Sequence, residues 1–360
     1  MSAKILVIGA GPAGLATAAC LKREGLEAKI VDRNGIAGGA YQRIYDGITL
    51  ASPTRYTGLP SVPIKTQGEY VTVPEYRHYL ELYAEKNKIK PEMAIVKSVQ
   101  IAQEGFAIEY EEPGEKESFN ALVVATGMYD FPVIPKIEGI EHSFADATET
   151  KLFFHAKEWK GPKPFKDKRI LIVGGATSAV EIAEECVRAG IQPTVSARRK
   201  KVKTISQRFL GKDIHDYFPF IENLPKFLFS SFCAKQPTLP AIDLGFREFC
   251  KAGKVAVQGE VERFIGKRTI FADGSVAEFG AVILATGYRY EMPFLPQGVA
   301  RNPNGIPLTH ECESRTHPGL YFVGIPCGRA ISSEFLRGIS KDSLVAARKI
   351  KERVKNINSN

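Results

Sequence analysis

Hydrophobic positions in this chain gather into short continuous runs that stop at glycines. Lys4-Ile-Leu-Val-Ile-Gly9 and Arg169-Ile-Leu-Ile-Val-Gly174 are almost the same string. Unbroken apolar runs of this length fit strands buried on both faces of a parallel sheet. A helical pattern follows each, over 15–23 and 180–188, then a glycine at Gly25 or Gly190. Second apolar runs come next, over 28–31 and 193–196. Leu122-Val-Val-Ala-Thr-Gly127 and Ile283-Leu-Ala-Thr-Gly287 form a further echo, each followed at once or shortly by a tyrosine, Tyr129 or Tyr288. Two copies of strand–glycine turn–helix–strand predict an α/β chain with two dinucleotide-binding, Rossmann-like domains.

The length of 360 residues agrees with about two domains. With 44% hydrophobic and 25% charged residues the composition is that of an ordinary globular protein, which excludes disordered, collagen-like and coiled-coil classes. The net charge of +9 is compatible with an anionic ligand but selects none. The basic residues do not form an extended stripe, so no nucleic-acid partner is expected. The six cysteines contain no C-x-x-C pair and no zinc-like spacing. Their scarcity points to a reducing, cytoplasmic setting, with no disulfide needed to staple a chain of this size. The apolar stretch over 5–21 is short and interrupted by glycines, so neither a signal peptide nor a transmembrane segment is expected. Residues 217–240 break the repeat with six aromatics, among them Phe218, Phe220 and Phe227, and four prolines including Pro225 and Pro237. They read as a helical excursion on the domain surface, or as an apolar lid or subunit contact, with a homodimer as one expectation.

Gly9-Ala-Gly11-Pro12-Ala13-Gly14 is a complete G-x-G-x-x-G between strand and helix. Its glycines allow a tight turn, backbone approach to a pyrophosphate, and close packing of helix on strand, while the helix N-terminus offers N–H donors. Asp32 closes the next strand, followed by Arg33. A carboxylate there accepts ribose hydroxyls and repels a 2′-phosphate, so this site expects FAD or NAD. Gly174-Gly175-Ala176-Thr177-Ser178-Ala179 is a degenerate copy whose second strand leads into Ala197-Arg198-Arg199-Lys200-Lys201 with no acid. Arginines there suit a 2′-phosphate, so NADPH is preferred, with NADH possible. Two nucleotide sites in one chain imply hydride transfer from NADPH to a flavin.

Together these features resemble the flavin-containing monooxygenases, in particular small bacterial flavoproteins related to them and to Baeyer–Villiger enzymes. Gly38-Gly39-Ala40-Tyr41 looks like the family's Gly-Gly-x-Trp, and Leu50-Ala-Ser-Pro53 and Leu59-Pro60 like its following loop. The resemblance implies a discontinuous FAD domain, residues 1–153 and 282–360, with the NADPH domain, 154–281, inserted. It places Ala125, Thr126, Gly127, Thr286 and Gly287 in the linkers between them, and Gly324 at the end of the last FAD-domain strand. It also implies departures. Ala51 stands where the family carries an Asn beside the flavin, Ile325 where related flavoproteins carry an Asp, and Glu149 and Lys151 where the linker has Phe and Gly. His155-Ala-Lys-Glu-Trp159 keeps the rest of that linker. His155 either orients it or touches the nicotinamide, and Trp159 reads as interdomain packing. Ser332 is expected to cap a helix over 332–337 whose N-terminus stabilises the reduced flavin.

Two activities remain open on these grounds. One is a monooxygenase using O2 and a small-molecule substrate (sulfide, amine or ketone). The other is a reductase of a disulfide, quinone or protein acceptor, for which a lone Cys20 or Cys327 is the candidate thiol. A non-enzymatic flavin-binding module is a third class.

Overall fold

The computed structural model describes residues 3–112, 114–140, 152–219, 229–235 and 239–359. In chain order, the elements used below are β1 (Ile5–Ile8), α1 (Pro12–Arg23), β2 (Lys29–Asp32), α2 (Val73–Lys86) and β3 (Ala121–Val124). They continue with β4 (Phe153–His155), β5 (Ile170–Val173), α3 (Thr177–Arg188), β6 (Thr194–Ser196) and α4 (Ser230–Lys235). The last are β7 (Ala256–Gln258), β8 (Ala281–Leu284), β9 (Leu320–Phe322) and α5 (Leu336–Ser359). The chain forms two compact units.

The first unit holds Met1–Met128, Tyr217–Gln236 and Tyr290–Asn360. Its seven-stranded sheet runs Thr309–His310, Glu313–Ser314, β9, β3, β1, β2, Glu92–Met93, and is parallel from β9 onward. Every residue of β1, β3 and β9 is buried, as the apolar runs required. One core cluster joins Leu15, Ala16 and Ala19 of α1, Tyr76, Tyr79 and Tyr83 of α2, and Ala346 and Ile350 of α5. The small residues of α1 let it lie close along α5, where the Thr17 hydroxyl donates to Ala13 O at 2.7 Å and meets Ser343 Oγ at 3.2 Å. A second cluster places Leu122 and Phe322 against Phe106, Ile108 and Phe119 of a three-stranded antiparallel sheet.

The second unit holds Tyr129–Asp216 and Pro237–Arg289. Its five-stranded sheet is parallel throughout, in the order β4-β8-β5-β6-β7. Leu171, Val173, Val282 and Leu284 pack on Phe264, Phe271 and Phe279 of another three-stranded antiparallel sheet. The α/β plan expected from the repeat is therefore built twice, once in each unit.

Several expectations need correction. β4 and β8 are neighbours in the five-stranded sheet of the second unit, which begins at Tyr129, and residues 217–219 and 229–235 group with the first unit. Trp159 is buried within the second unit, stacked near Phe165 and Phe154 at ring distances of 5.6 and 6.4 Å. Ser332 does not cap α5. It lies in a 3-10 turn, Ile331–Glu334, where Ser333 Oγ instead accepts from Arg329 N and Ala330 N. Cys327 is not a lone thiol: it is joined to Cys233 in a disulfide across 94 residues of sequence. Phe220, Pro225, Phe227, Pro237, Glu149 and Lys151 lie outside the described residues.

Gly14 and Gly174 of the repeat are packed against backbone. A Cβ on Gly14 would stand 1.8 Å from Gly9 O, and one on Gly174 2.1 Å from Ala285 O. Both obstacles are backbone, which has no flexible end to swing aside. Gly14→Ala should therefore force α1 off β1 and cost about 3 kcal/mol or more, measured as a lowered urea midpoint with an unchanged slope.

Candidate functional site

The first cradle is the turn between β1 and α1. Gly9, with φ +103°, donates its N–H to Val31 O at 2.8 Å, and a Cβ there would meet Ala125 O at 2.5 Å. Only glycine satisfies both the positive φ and that approach. Asp32 folds its carboxylate back onto the same turn: Ala10 N donates to Oδ2 and Asn34 N to Oδ1, both at 2.9 Å. Arg33 beside it is exposed. The 38–41 loop is fastened over the turn by Gly38 N donating to Ala10 O at 2.9 Å. Gly39 is buried so tightly that a Cβ would come within 2.8 Å of Gly11 Cα. Ala40 and Tyr41 are half-buried, with the Tyr41 ring edge-on to Tyr76 at 4.8 Å.

Three observations show that these residues fit a dinucleotide. A Cβ on Gly11 would meet nothing within 4 Å, so the second glycine opens onto free space. Helix α1 begins at Pro12 and Ala13 with Gly11 as N-cap, no side-chain cap and no acid in its first turn. In contrast, α2 carries a full capping box between Thr72 and Glu75. The N–H groups and dipole of α1 are thus left for an anion. Finally, Thr126 Oγ1, beside Ala125 and Gly127, is buried with no hydrogen-bond partner. Such orphaned groups are costly unless a ligand satisfies them. Gly324, after β9, faces α1, where its Cβ would lie 3.1 Å from Ala13 Cβ; Ile325 behind it is buried. Ala51 sits in a strand, Thr49–Pro53, paired with Tyr70–Thr72.

The second cradle repeats the construction. Gly174 donates to Ser196 O at 2.9 Å and abuts Ala285 O; Gly175 would bring a Cβ to 3.0 Å from the Ala197 methyl. Helix α3 starts at Thr177 and Ser178, again with no side-chain cap and no acid in the first turn. The strand after it leads to exposed Arg198, in a 3-10 turn with Arg199 and Lys200. Lys200 is already paired with Asp273 at 2.5 Å.

His155 is locked by backbone. Lys157 N donates to Nδ1 at 3.1 Å, which puts the proton on Nε2 and directs it to Gly287 O at 3.1 Å. Tyr288 stands edge-on at 5.0 Å and Tyr129 beyond it at 5.1 Å. The second Ala-Thr-Gly turn is held further by Thr286 Oγ1 donating to Val133 O at 2.5 Å and by Val133 N donating to Gly287 O at 2.9 Å. With both nitrogens engaged, His155 braces the 285–289 turn.

Sequence reasoning missed two carboxyls. Burial, with Glu185 and Glu184 beside it, pushes Glu181 of α3 up to about 7. Glu184 and Glu185 are spent on Leu244 N, Phe246 N and the Trp159 indole. Burial also pushes Glu334 up to about 7, against Arg337. Three acids on one turn of an otherwise apolar helix was the available signal for the first; nothing marked the second. Cys20 is buried in α1 with its thiol pushed up to about 11, which removes it as a nucleophile.

Gly11→Val should leave the unfolding free energy within about 0.5 kcal/mol of the parent, since the side chain enters open space. The dissociation constant for FAD should rise about 100-fold, equivalent to roughly 2.7 kcal/mol. Acid titration checks His155, whose burial lowers its pKa from 6.5. The unfolded chain then binds a proton that the folded chain refuses, so this group's stabilisation is complete above 6.5 and is lost as pH falls below it. Glu181 and Glu334 slope the other way. The parent minus His155→Gln difference in unfolding free energy, between about pH 8 and 5.5, isolates the histidine.

The comparisons agree with this build. The profile described as pyridine nucleotide-disulphide oxidoreductase matches residues 6–216. Indole-3-pyruvate monooxygenase YUCCA6 of Arabidopsis thaliana is 30% identical over 383 residues, covering 95% of this chain and 88% of its own. Among solved structures, the flavin-containing monooxygenase of Stenotrophomonas maltophilia superposes with a TM-score of 0.80 at 22% identity, covering 97% of this chain and 98% of that one. The bacillithiol disulfide reductase Bdr of Bacillus cereus gives 0.76 at 21%, covering 98% and 100%. At those identities the two structures establish the fold alone. The chain belongs to the pyridine nucleotide-disulphide oxidoreductase family, as an oxidoreductase of the flavin-containing monooxygenase-like kind with FAD and NADPH as its cofactors.

Proposed function

We propose that this protein is an FAD-dependent, NADPH-using monooxygenase that places one oxygen atom of O2 into a small organic substrate. The observation that carries the reading is likeness along almost the whole chain to proteins named as indole-3-pyruvate monooxygenases, 30% identical for YUCCA6. The opposite charges at the ends of β2 and β6 support it: Asp32 at one and Arg198 at the other. In this reading FAD takes the first cradle, in a discontinuous domain, and NADPH the second. Gly9, Gly11, Gly14 and the uncapped start of α1 hold the FAD pyrophosphate, and Asp32 accepts from its ribose. Thr126 donates or accepts at the cofactor with the hydroxyl that no protein atom uses. The start of α3 with Thr177 and Ser178 holds the second pyrophosphate, and Arg198 with Arg199 takes the 2′-phosphate.

When bound, FAD accepts hydride from NADPH and, reduced, activates O2. The protein's task is then to bind, orient and exclude water, which explains why no nucleophile–base pair is needed. His155 fixes the 285–289 turn and holds its own proton on Nε2 rather than giving it up. Indole-3-pyruvate, a ketone, is the first substrate to assay, followed by a sulfide and an amine.

The test is anaerobic reduction by NADPH followed by rapid mixing with oxygen. A transient absorbance distinct from oxidised and reduced flavin, with product carrying label from 18O2, is expected. Immediate reoxidation together with rapid turnover of a disulfide or quinone would instead establish the reductase. Arg198→Ala should raise KM for NADPH about 10-fold or more, the loss of roughly 1.4 kcal/mol or more of charge-assisted contact, while KM for NADH stays as it was. Equal changes for both coenzymes would overturn the 2′-phosphate assignment.

A further inference from the structure

The cysteines divide into two groups. Cys20, Cys186 and Cys312 are buried and Cys250 half-buried. Cys233 and Cys327 are both half-buried and joined. Their bridge has an unusual topological position. Residues 217–219 and α4 group with the first unit, whereas Asp216 before them and the described residues from Leu239 onward group with the second. Cys233–Cys327 is therefore the direct covalent tie between α4 and the unit it groups with. Phe218 also touches that unit, its ring lying under the Arg337 guanidinium at 4.8 Å.

The two ends of the bridge differ in how firmly they are held. On the Cys327 side, Gly328 O accepts from Thr309 Oγ1 at 2.5 Å and Arg329 Nε donates to Asp342 Oδ1 at 2.7 Å. Arg329 N and Ala330 N both donate to Ser333 Oγ at 2.9 Å. Cys327 keeps a φ of +53°, which a non-glycine residue adopts only where its surroundings enforce it. On the other side, Cys233 sits in α4, a helix of six residues. A helix so short does not hold itself in water. Opening the bridge leaves the Cys327 loop in place and frees α4.

We propose that Cys233–Cys327 is a thiol–disulfide exchange site for low-molecular-weight thiols, and that its opening releases α4 from the loop after β9. A thiolate attacks one bridge sulfur and forms a mixed disulfide, and the other cysteine leaves as a thiolate and takes a proton. A second thiol attacks the mixed disulfide. Two thiols are thereby oxidised to one free disulfide, and the bridge gains two electrons and two protons. The same loop begins at Gly324, against Ala13 of the first cradle, so the bridge ties α4 to the cradle end of its own unit. The exchange itself does not depend on which cofactor that cradle holds.

The experiment uses the full-length protein, first oxidised with glutathione disulfide and desalted. Alkylation after denaturation, without reductant, should label four cysteines and leave the Cys233 and Cys327 peptides linked. Millimolar reduced glutathione added to the native protein should then make those two alkylatable, with a glutathione adduct on one of them at early times. Cleavage within α4, at 230–235, by a dilute protease should rise roughly tenfold on reduction. Cys233→Ser should be cut at the fast rate in either buffer. Six alkylatable thiols after the oxidation step would overturn the proposal. So would a bridge that glutathione opens only in denaturant, or one that opens with no change in cleavage.

Discussion

The structure depends on one repeated close approach. In each unit the first glycine of the cradle lies against the carbonyl of the alanine in Ala-Thr-Gly, Gly9 on Ala125 and Gly174 on Ala285. The same glycine donates to the second strand, at Val31 O or Ser196 O, and the alanine donates to the first strand, at Ile8 O or Val173 O. Three strand ends are stitched together around a point where no Cβ fits. That contact fixes where the chain leaves the sheet, and hence where α1 and α3 begin and what their first N–H groups face. A side chain at either glycine would separate the strands and move the helix start with them.

With the helix starts fixed, the electrostatics follow from what is left out. The chain caps α2 with Thr72 and Glu75, so its sequence is able to supply a box where one is useful. At α1 and α3 it supplies neither cap nor first-turn acid. Orphan N–H groups at two buried-sheet helix starts are tolerable where an anion completes them. The residues at the ends of the neighbouring strands then distinguish two anions. Asp32 has accepted from Ala10 N and Asn34 N and presents its remaining lone pairs as acceptors, whereas Arg198 presents donors.

Most of this was legible because it is local. The apolar runs, the glycine spacing and Asp32 are read within about 30 residues of chain, the length over which strand, turn and helix specify one another. The unit boundaries were harder. Phe153–His155 and Ala281–Leu284 pair across a long stretch of chain, and only the register Phe153↔Val282 shows that both strands belong to one sheet. Cys233 and Cys327 escaped for the same reason: no spacing rule covers a pair that meets across 94 residues because α4 groups with the first unit. Trp159 is held by contacts that no local pattern announces: Glu185 takes its indole N–H, and Phe154 and Phe165 stack beside it. Ser332 was placed at a helix start one turn too early, since the 3-10 turn over 331–334 uses Ser333 for its own backbone.

The two Ala-Thr-Gly turns show how one string takes two roles. In the second unit the threonine of this turn and the glycine carbonyl are both claimed: Thr286 gives its hydroxyl proton to Val133 O, and Gly287 O receives His155 Nε2 and Val133 N. That turn is a joint, and the low pKa of His155 is the consequence of burying a ring whose neutral form already satisfies both partners. In the first unit Thr126 has the same place in the string and its hydroxyl is buried without a partner. Desolvating a hydroxyl costs about 1–3 kcal/mol when nothing replaces the water, so the first turn is incomplete as protein alone in a way the second is not. The sequence repeat therefore marks a shared scaffold, and the difference in hydrogen bonding distinguishes the turn whose threonine is spent on the protein from the one whose threonine has no partner among the described residues.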